Sequence, residues 1–149
     1  MSKLLKILAL VVVLLTGCEN KVSQQELDEV NSLATKFVNI VSQNCDSFNS
    51  YYELDEENKT IIIYVDMPDV NTLAIGVKTG MLSEENYDDV IDSLVGVSRS
   101  AKEALTRNEL DDWSVEVHFG SVEEEHYSIT VKDGILTYDE ADEEELITY

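Results

Sequence analysis

The dipeptide Asp133-Gly134 separates two runs of alternating apolar and polar residues, and it constrains the fold more tightly than any other feature of the chain. A two-residue hairpin turn needs positive φ at its centre, which aspartate and glycine adopt readily, and it fixes the register of the strands it joins. Counting outward pairs Lys132 with Ile135, Val131 with Leu136 and Ile129 with Tyr138. Side chains alternate between the faces of a sheet, so this register predicts Leu136 and Tyr138 on the same face as the apolar residues of the preceding strand. Residues 113–119 and 126–132 alternate strictly, and the C-terminal third therefore reads as three strands.

An earlier hairpin is written differently. Tyr51-Tyr52-Glu53-Leu54 leads through the turn-rich residues 55–59 into Thr60-Ile61-Ile62-Ile63-Tyr64-Val65. That second run is apolar on both faces, which predicts an internal strand, and Pro68 stops it. Before this hairpin, Ser23 and Glu26 have the spacing of a capping box, and Leu27, Val30, Ala34, Phe37 and Val41 recur at helical intervals. After it, residues 69–77 suggest a short helix with Gly80 as its cap. A long helix then begins at Ser83, with the stripe Tyr87, Ile91, Leu94, Val97, Ala101 and Leu105. Acids early in this helix, and Lys102 and Arg107 late in it, complement its dipole.

Amphipathic helices and strands with one apolar face bury those faces against each other. The expected fold class is α+β, with two amphipathic helices on one face of an antiparallel sheet of about four to five strands, in the order α-ββ-(short α)-α-βββ.

The N-terminal residues follow another logic. Met1–Lys6 is basic and residues 7–15 are apolar, too short a run for the roughly 20 residues that span a bilayer. A basic start and short apolar centre are the anatomy of a secretory signal peptide. The sequence then reads Leu15-Thr16-Gly17-Cys18, which resembles the lipobox of bacterial lipoproteins. The resemblance implies diacylglyceryl attachment to the Cys18 thiol and cleavage by a signal peptidase that recognises Leu15, Thr16 and Gly17. It further implies a membrane anchor through palmitate-type acyl chains, two of which hold a protein where one barely does. The implied organisation is a cleaved leader at residues 1–17, a lipidated tether at 18–22, a domain at 23–138 and an acidic tail at 139–149. The implied location is the cell envelope, outside the cytoplasmic membrane or on the outer membrane.

Charge narrows the partners. The chain carries 31 acidic and 10 basic residues, a formal charge of −21. Loss of Lys3 and Lys6 with the leader would take this to about −23. Nucleic-acid binders need a basic face, so nucleic acid is excluded as a partner, while basic proteins or peptides are favoured. With Cys18 acylated, Cys45 lacks an intramolecular partner and is expected as a packed thiol, with an intermolecular disulfide as the other reading. The oligomeric state is not readable.

Candidate chemistry is sparse. His118 and His126 fall on polar positions of alternating strands, so alternation places both on the outward face with Glu116 and Glu124 nearby, the makings of a zinc site. The other reading is two solvated histidines. The acidic runs lack the oxygen spacing and glycine of a calcium loop. Nucleophile-elbow, metalloprotease, P-loop and dinucleotide motifs are missing, so neither catalysis nor a cofactor is expected. The expected role is a non-enzymatic binding module for a cationic protein or peptide, of immunity, inhibitor or exclusion type. The alternatives are a structural or assembly lipoprotein and a metal-binding envelope protein using His118 and His126.

Overall fold

The computed structural model describes residues 21–45 and 49–143, with the side chain of Cys45 excepted. The expected leader with Leu15, Thr16 and Gly17, the expected lipidation site Cys18, and the final residues 144–149 lie outside the described residues, as does the expected packing of the Cys45 thiol.

Helix α1 spans Gln24–Cys45 and leads into the hairpin of β1, Tyr51–Asp55, and β2, Thr60–Asp66. Two helices follow, α2 at Pro68–Lys78 and α3 at Glu84–Arg107. Strands β3, Ser114–Ser121, β4, His126–Lys132, and β5, Ile135–Asp139, complete the sheet, and a 3-10 turn at Glu140–Asp142 closes the described chain. The architecture is α+β, with the strands in sequential order β1-β2-β3-β4-β5. Among the described residues, no helix is long and apolar enough to cross a membrane.

The termini of the elements follow from local chemistry. Pro68 opens α2, where its missing N–H and fixed φ cost nothing, and Gly80 takes φ +72° just beyond the Thr79 cap. At α1, the Glu26 N–H donates to Ser23 Oγ at 3.1 Å, which is half of a capping box. The Glu26 carboxylate is used elsewhere: its Oε1 accepts from Trp113 Nε1 at 2.7 Å and from Lys59 Nζ at 3.1 Å. Lys59 also pairs with Asp112. These bonds raise the pKa of Lys59 and lower that of Asp112, and the four residues fasten the start of α1 to the β1–β2 turn and the entrance of β3.

One sheet face carries Ile61, Ile63, Val65, Val115, Val117, Phe119, Ile129 and Val131, all buried against the helices. The opposing helical residues include Val30, Ala34, Val70, Ala74, Leu94, Ala101 and Leu105. Burying each large aliphatic side chain contributes roughly 1.5–3 kcal/mol, so this single interface holds the fold.

The strand pairs are antiparallel except β2 with β3, which run parallel from Thr60↔Ser114 to Asp66↔Gly120. The cause is the crossover: α3, at 1.5 Å per residue, is long enough to return the chain to the edge where β2 began. The Asp133-Gly134 turn holds φ +50° and +78° and pairs Lys132 with Ile135 and Val131 with Leu136, as its sequence predicts. Beyond that a bulge intervenes. Thr130 pairs with Tyr138 and Ile129 with Asp139, so Tyr138 leaves the core face on which alternation placed it. Residues 139–142, expected within an acidic tail, are part of the folded structure. Asp139 ends β5 and accepts a hydrogen bond from Tyr87, and Glu140 packs beside His126 and Ser128.

Candidate functional site

Among the described residues every helix lies on one side of the sheet, and on the other face four strands bring aromatic rings together. Tyr51 of β1 pairs with Tyr64 of β2, which pairs with His118 of β3. The Tyr51 and Tyr64 rings stack at 4.7 Å, and Tyr64 and His118 at 5.1 Å. Tyr127 of β4 closes the group, tilted against Tyr64 at 5.3 Å and edge-on to His118 at 5.7 Å. Stacked and edge-to-face contacts of this kind each contribute about 0.5–1.5 kcal/mol beyond burial.

Tyr127 reaches this face only because the β3–β4 ladder is bulged. Phe119 pairs with Ile129, but Gly120 pairs with Tyr127, so Ser128 is the extra residue. Side-chain alternation therefore inverts beyond Ile129: Tyr127 turns outward and Ser128 turns toward the helices. Asn71 of α2 secures the bulge. Its Nδ2 donates to the His126 carbonyl at 2.9 Å, and its Oδ1 accepts from the Ser128 N–H at 3.2 Å and the Ser128 hydroxyl at 2.7 Å. Met67 N–H reaches Gly120 O at 2.7 Å from the other side.

The same inversion separates the two histidines. His118 faces outward, with Nε2 at 2.7 Å from Glu116 Oε1 and Nδ1 at 3.2 Å from Thr130 Oγ1. His126 pairs with Ser121 and turns to the helical side, where Nε2 lies 2.9 Å from Glu140 Oε2. The expected juxtaposition of His118, His126 and Glu116 is thus corrected: Glu116 stays with His118, and His126 leaves them. Among the described residues no group of three or more histidine, cysteine or carboxylate side chains could hold a metal.

His126, Ser128 and Glu140 superficially suggest acid–base machinery. Nucleophilic activation requires the base to touch the hydroxyl. Here Ser128 is fully buried, and its hydroxyl contacts Asn71 and Glu140 while the imidazole reaches only Glu140. This node ties the 3-10 turn and α2 to β4.

Two carboxylates and one lysine border the stack on the outward face. Glu53 Oε2 lies 3.5 Å from the Tyr64 hydroxyl, and Glu116 flanks His118. Lys132 stands 3.9 Å from Glu116 at the rim. Burial first, and then Glu53, raise the pKa of Tyr64; burial, and then neighbouring Tyr51, push Tyr127 up to about 12. A tyrosine held above its unfolded value of 10.0 contributes stability that is complete below pH 10 and lost as pH climbs toward about 12. Ultraviolet titration of the phenolate band should show Tyr127 ionising later than free tyrosine, with unfolding advancing over that interval. Coincidence of its titration with that of the unfolded chain would contradict the assignment.

The stacked rings stand on the sheet and cover one another's faces. Tyr51 is the end of the stack: one ring face rests on Tyr64, and the residue remains 41 % exposed on the edge strand. Glu53, two residues along β1, is exposed on the same side. An exposed tyrosine ring with a carboxylate two residues along the same strand is a combination that suits a guanidinium, which can use cation–π and charge-assisted contacts.

Sequence reasoning did not bring these tyrosines together. The outward positions of Tyr51 and Tyr64 follow from the alternation of their strands, but that of Tyr127 depends on the bulge. No family model matches the chain, and neither a curated protein nor a solved structure shows detectable similarity to it.

Proposed function

We propose that this chain is a lipid-anchored, non-enzymatic binding module of the bacterial cell envelope that captures a cationic protein or peptide on the sheet face opposite the helices. The observation that carries this reading is the aromatic stack ending on exposed Tyr51, with Glu53 on the same strand and Glu116 further along the face. Neutral rings within an acidic surround attract lysine and arginine side chains while disfavouring phosphate backbones and anionic headgroups. The net charge of −21 adds long-range steering of basic partners, an effect that salt screens. Acylation of Cys18 would hold the domain on the membrane, and the short tether from Cys18 to Ser23 would keep it close to the surface.

Calorimetric titration of the full chain with an arginine-rich peptide at low and high salt tests this. Removing one partly desolvated cation–π partner costs roughly 0.5–2 kcal/mol. Tyr51→Ala is therefore expected to weaken binding about tenfold, which corresponds to roughly 1.4 kcal/mol. Glu53→Gln should flatten the salt dependence. Unchanged affinity in Tyr51→Ala, or binding indifferent to salt, would sink the proposal.

An assembly role is the second reading. Its support is edge strand β5, which exposes Ile135 and Leu136 at 67 % and 37 %. A partner retained in high salt and lost on charge substitution at these two positions would favour it.

A further inference from the structure

The helical layer is open between α1 and α3. Phe37 and Ile40 wall the opening on the α1 side, Gly96 and Val97 on the α3 side, and Phe119 of the sheet reaches its floor. Its volume is about 860 Å³. Ile40 is left 57 % exposed, and a β-carbon placed on Gly96 would meet nothing within 4 Å. Two polar side chains of the lining serve their own helices: the Ser93 hydroxyl donates to the Asp89 carbonyl at 2.9 Å, and Asn44 Nδ2 to the Ile40 carbonyl at 2.8 Å.

Such walls restrict the form of an occupant. An extended segment would bring backbone N–H and C=O groups into a trough that offers them little to bond, whereas a helix satisfies its own. An amphipathic helix also presents the single apolar stripe that an apolar groove takes up.

Charge restricts its composition. Asp89 borders the groove itself. At about 100° per residue, Glu85, Asp92 and Glu103 lie within about 40° of Gly96 around the axis of α3, so with Asp89 they form a row along that rim. All four are exposed, and none of their carboxylates has a hydrogen bond or ion pair among the described residues. Arg107 stands only at the far end of the row, and Arg99 is farther round the helix. On the α1 rim Glu29 and Lys36 offset each other. A second copy of the chain would bring the same row and a formal charge of −21 against its like, so self-association is disfavoured.

We infer that the groove between α1 and α3 receives an amphipathic helix of a partner protein or peptide. Its apolar stripe lies against Phe37, Ile40 and Val97, and a row of lysines or arginines runs along the one flank that faces Glu85, Asp89, Asp92 and Glu103. Burial of the stripe supplies affinity, and the acidic rim sets which way round the helix lies. The groove is on the opposite side of the sheet from Tyr51 and rests on other residues, so this site stands or falls apart from the tyrosine-face reading.

The probe is a fluorescein-labelled amphipathic peptide of leucine and lysine, titrated with the full chain and followed by fluorescence anisotropy. Saturable binding is expected, about tenfold tighter than that of a permuted peptide of the same composition without an apolar stripe. Ile40→Glu is the deciding variant. It adds a negative charge, so diffuse attraction to an acidic surface would strengthen, whereas docking in the groove should weaken about tenfold. The exposure of Ile40 and the helix propensity of glutamate should leave the fold intact. Gly96→Glu repeats the test from the opposite wall should the first variant fold poorly. The triple variant Asp89→Asn, Asp92→Asn, Glu103→Gln should also weaken binding about tenfold and flatten its salt dependence. Tyr51→Ala should leave this binding unchanged. Absence of binding, equal binding of the permuted peptide, or undiminished binding in both glutamate variants would overturn the inference. So would loss of binding in Tyr51→Ala, which would move the peptide to the sheet face. Dimerisation of the chain that Ile40→Glu abolishes would assign the groove to a second copy and overturn the inference equally.

Discussion

Trp113→Ala is expected to destabilise the chain by about 3–5 kcal/mol, the range for deleting a fully buried aromatic side chain. Trp113 is 0 % exposed and precedes β3 at the point where α1, α3 and the β1–β2 turn converge. Its indole N–H donates to Glu26, and its carbonyl accepts from Lys102 Nζ at 2.6 Å. Alanine leaves a cavity and removes a charge-assisted hydrogen bond from the start of α1. A domain of this size has roughly 5–15 kcal/mol of net stability, so the variant should lose a large share of it. Trp113→Phe separates the two effects, because it keeps most of the volume and loses only the N–H. Lys59 still reaches Glu26 Oε1, so the expected cost is smaller, about 1–2 kcal/mol. Urea denaturation followed by circular dichroism checks both variants, the chain having a single tryptophan and the variants therefore no indole signal. Equal costs for Ala and Phe would mean that the hydrogen bond, not the packing, carries the effect.

The role of Glu26 illustrates where sequence reading succeeds and where it ends. Its spacing from Ser23 correctly marks the start of α1, because capping is local chemistry. Its principal partner, Trp113, is 87 residues away, and no local pattern announces it. The stripes of α1 and α3 and both hairpins were legible for the same reason: 3.6-residue and two-residue periodicities are written within single segments. The Asp133-Gly134 turn fixed its first two pairs, and the prediction failed where the bulge near Thr130 inserted a residue. The parallel pairing of β2 and β3 is set by the length of the crossover, and nothing in either strand encodes it.

The candidate site was less legible than the fold. Each of Tyr51, Tyr64, His118 and Tyr127 comes from a different strand, and only the registers of three ladders make them neighbours. The reading of His118 and His126 as a pair rested on unbroken alternation, a sound rule that one extra residue reverses. Net acidity was visible from composition, but the placement of Glu53 and Glu116 beside an aromatic stack was not. A charge count reports what a surface repels; the arrangement of Tyr51 beside Glu53 is what could make a portion of it selective.

Gly120→Ala is expected to be the most damaging small substitution on the sheet, costing about 2–4 kcal/mol from overpacking and lost bulge hydrogen bonds. A β-carbon there would lie 2.2 Å from the His126 carbonyl oxygen, 2.6 Å from Tyr127 Cα and 2.8 Å from Asn71 Oδ1. The first two are backbone atoms, so no rotamer change relieves them and the β3–β4 ladder must open at the bulge. Opening moves Tyr127 off Tyr64 and His118, and it pulls the His126 carbonyl and Ser128 N–H away from Asn71. Stability and peptide binding should therefore fall together, with the urea midpoint lowered at unchanged slope and the Tyr127 titration returning toward 10.0. Asn71→Ala distinguishes the sources of strain. Combined with Gly120→Ala it removes only the side-chain clash, and it also strips the bulge of its bonding partner, so it should not rescue the variant. Rescue by Asn71→Ala would show that the side chain alone was obstructed. The bulge would then be a feature that the strands tolerate, instead of the geometry on which the outward position of Tyr127 depends.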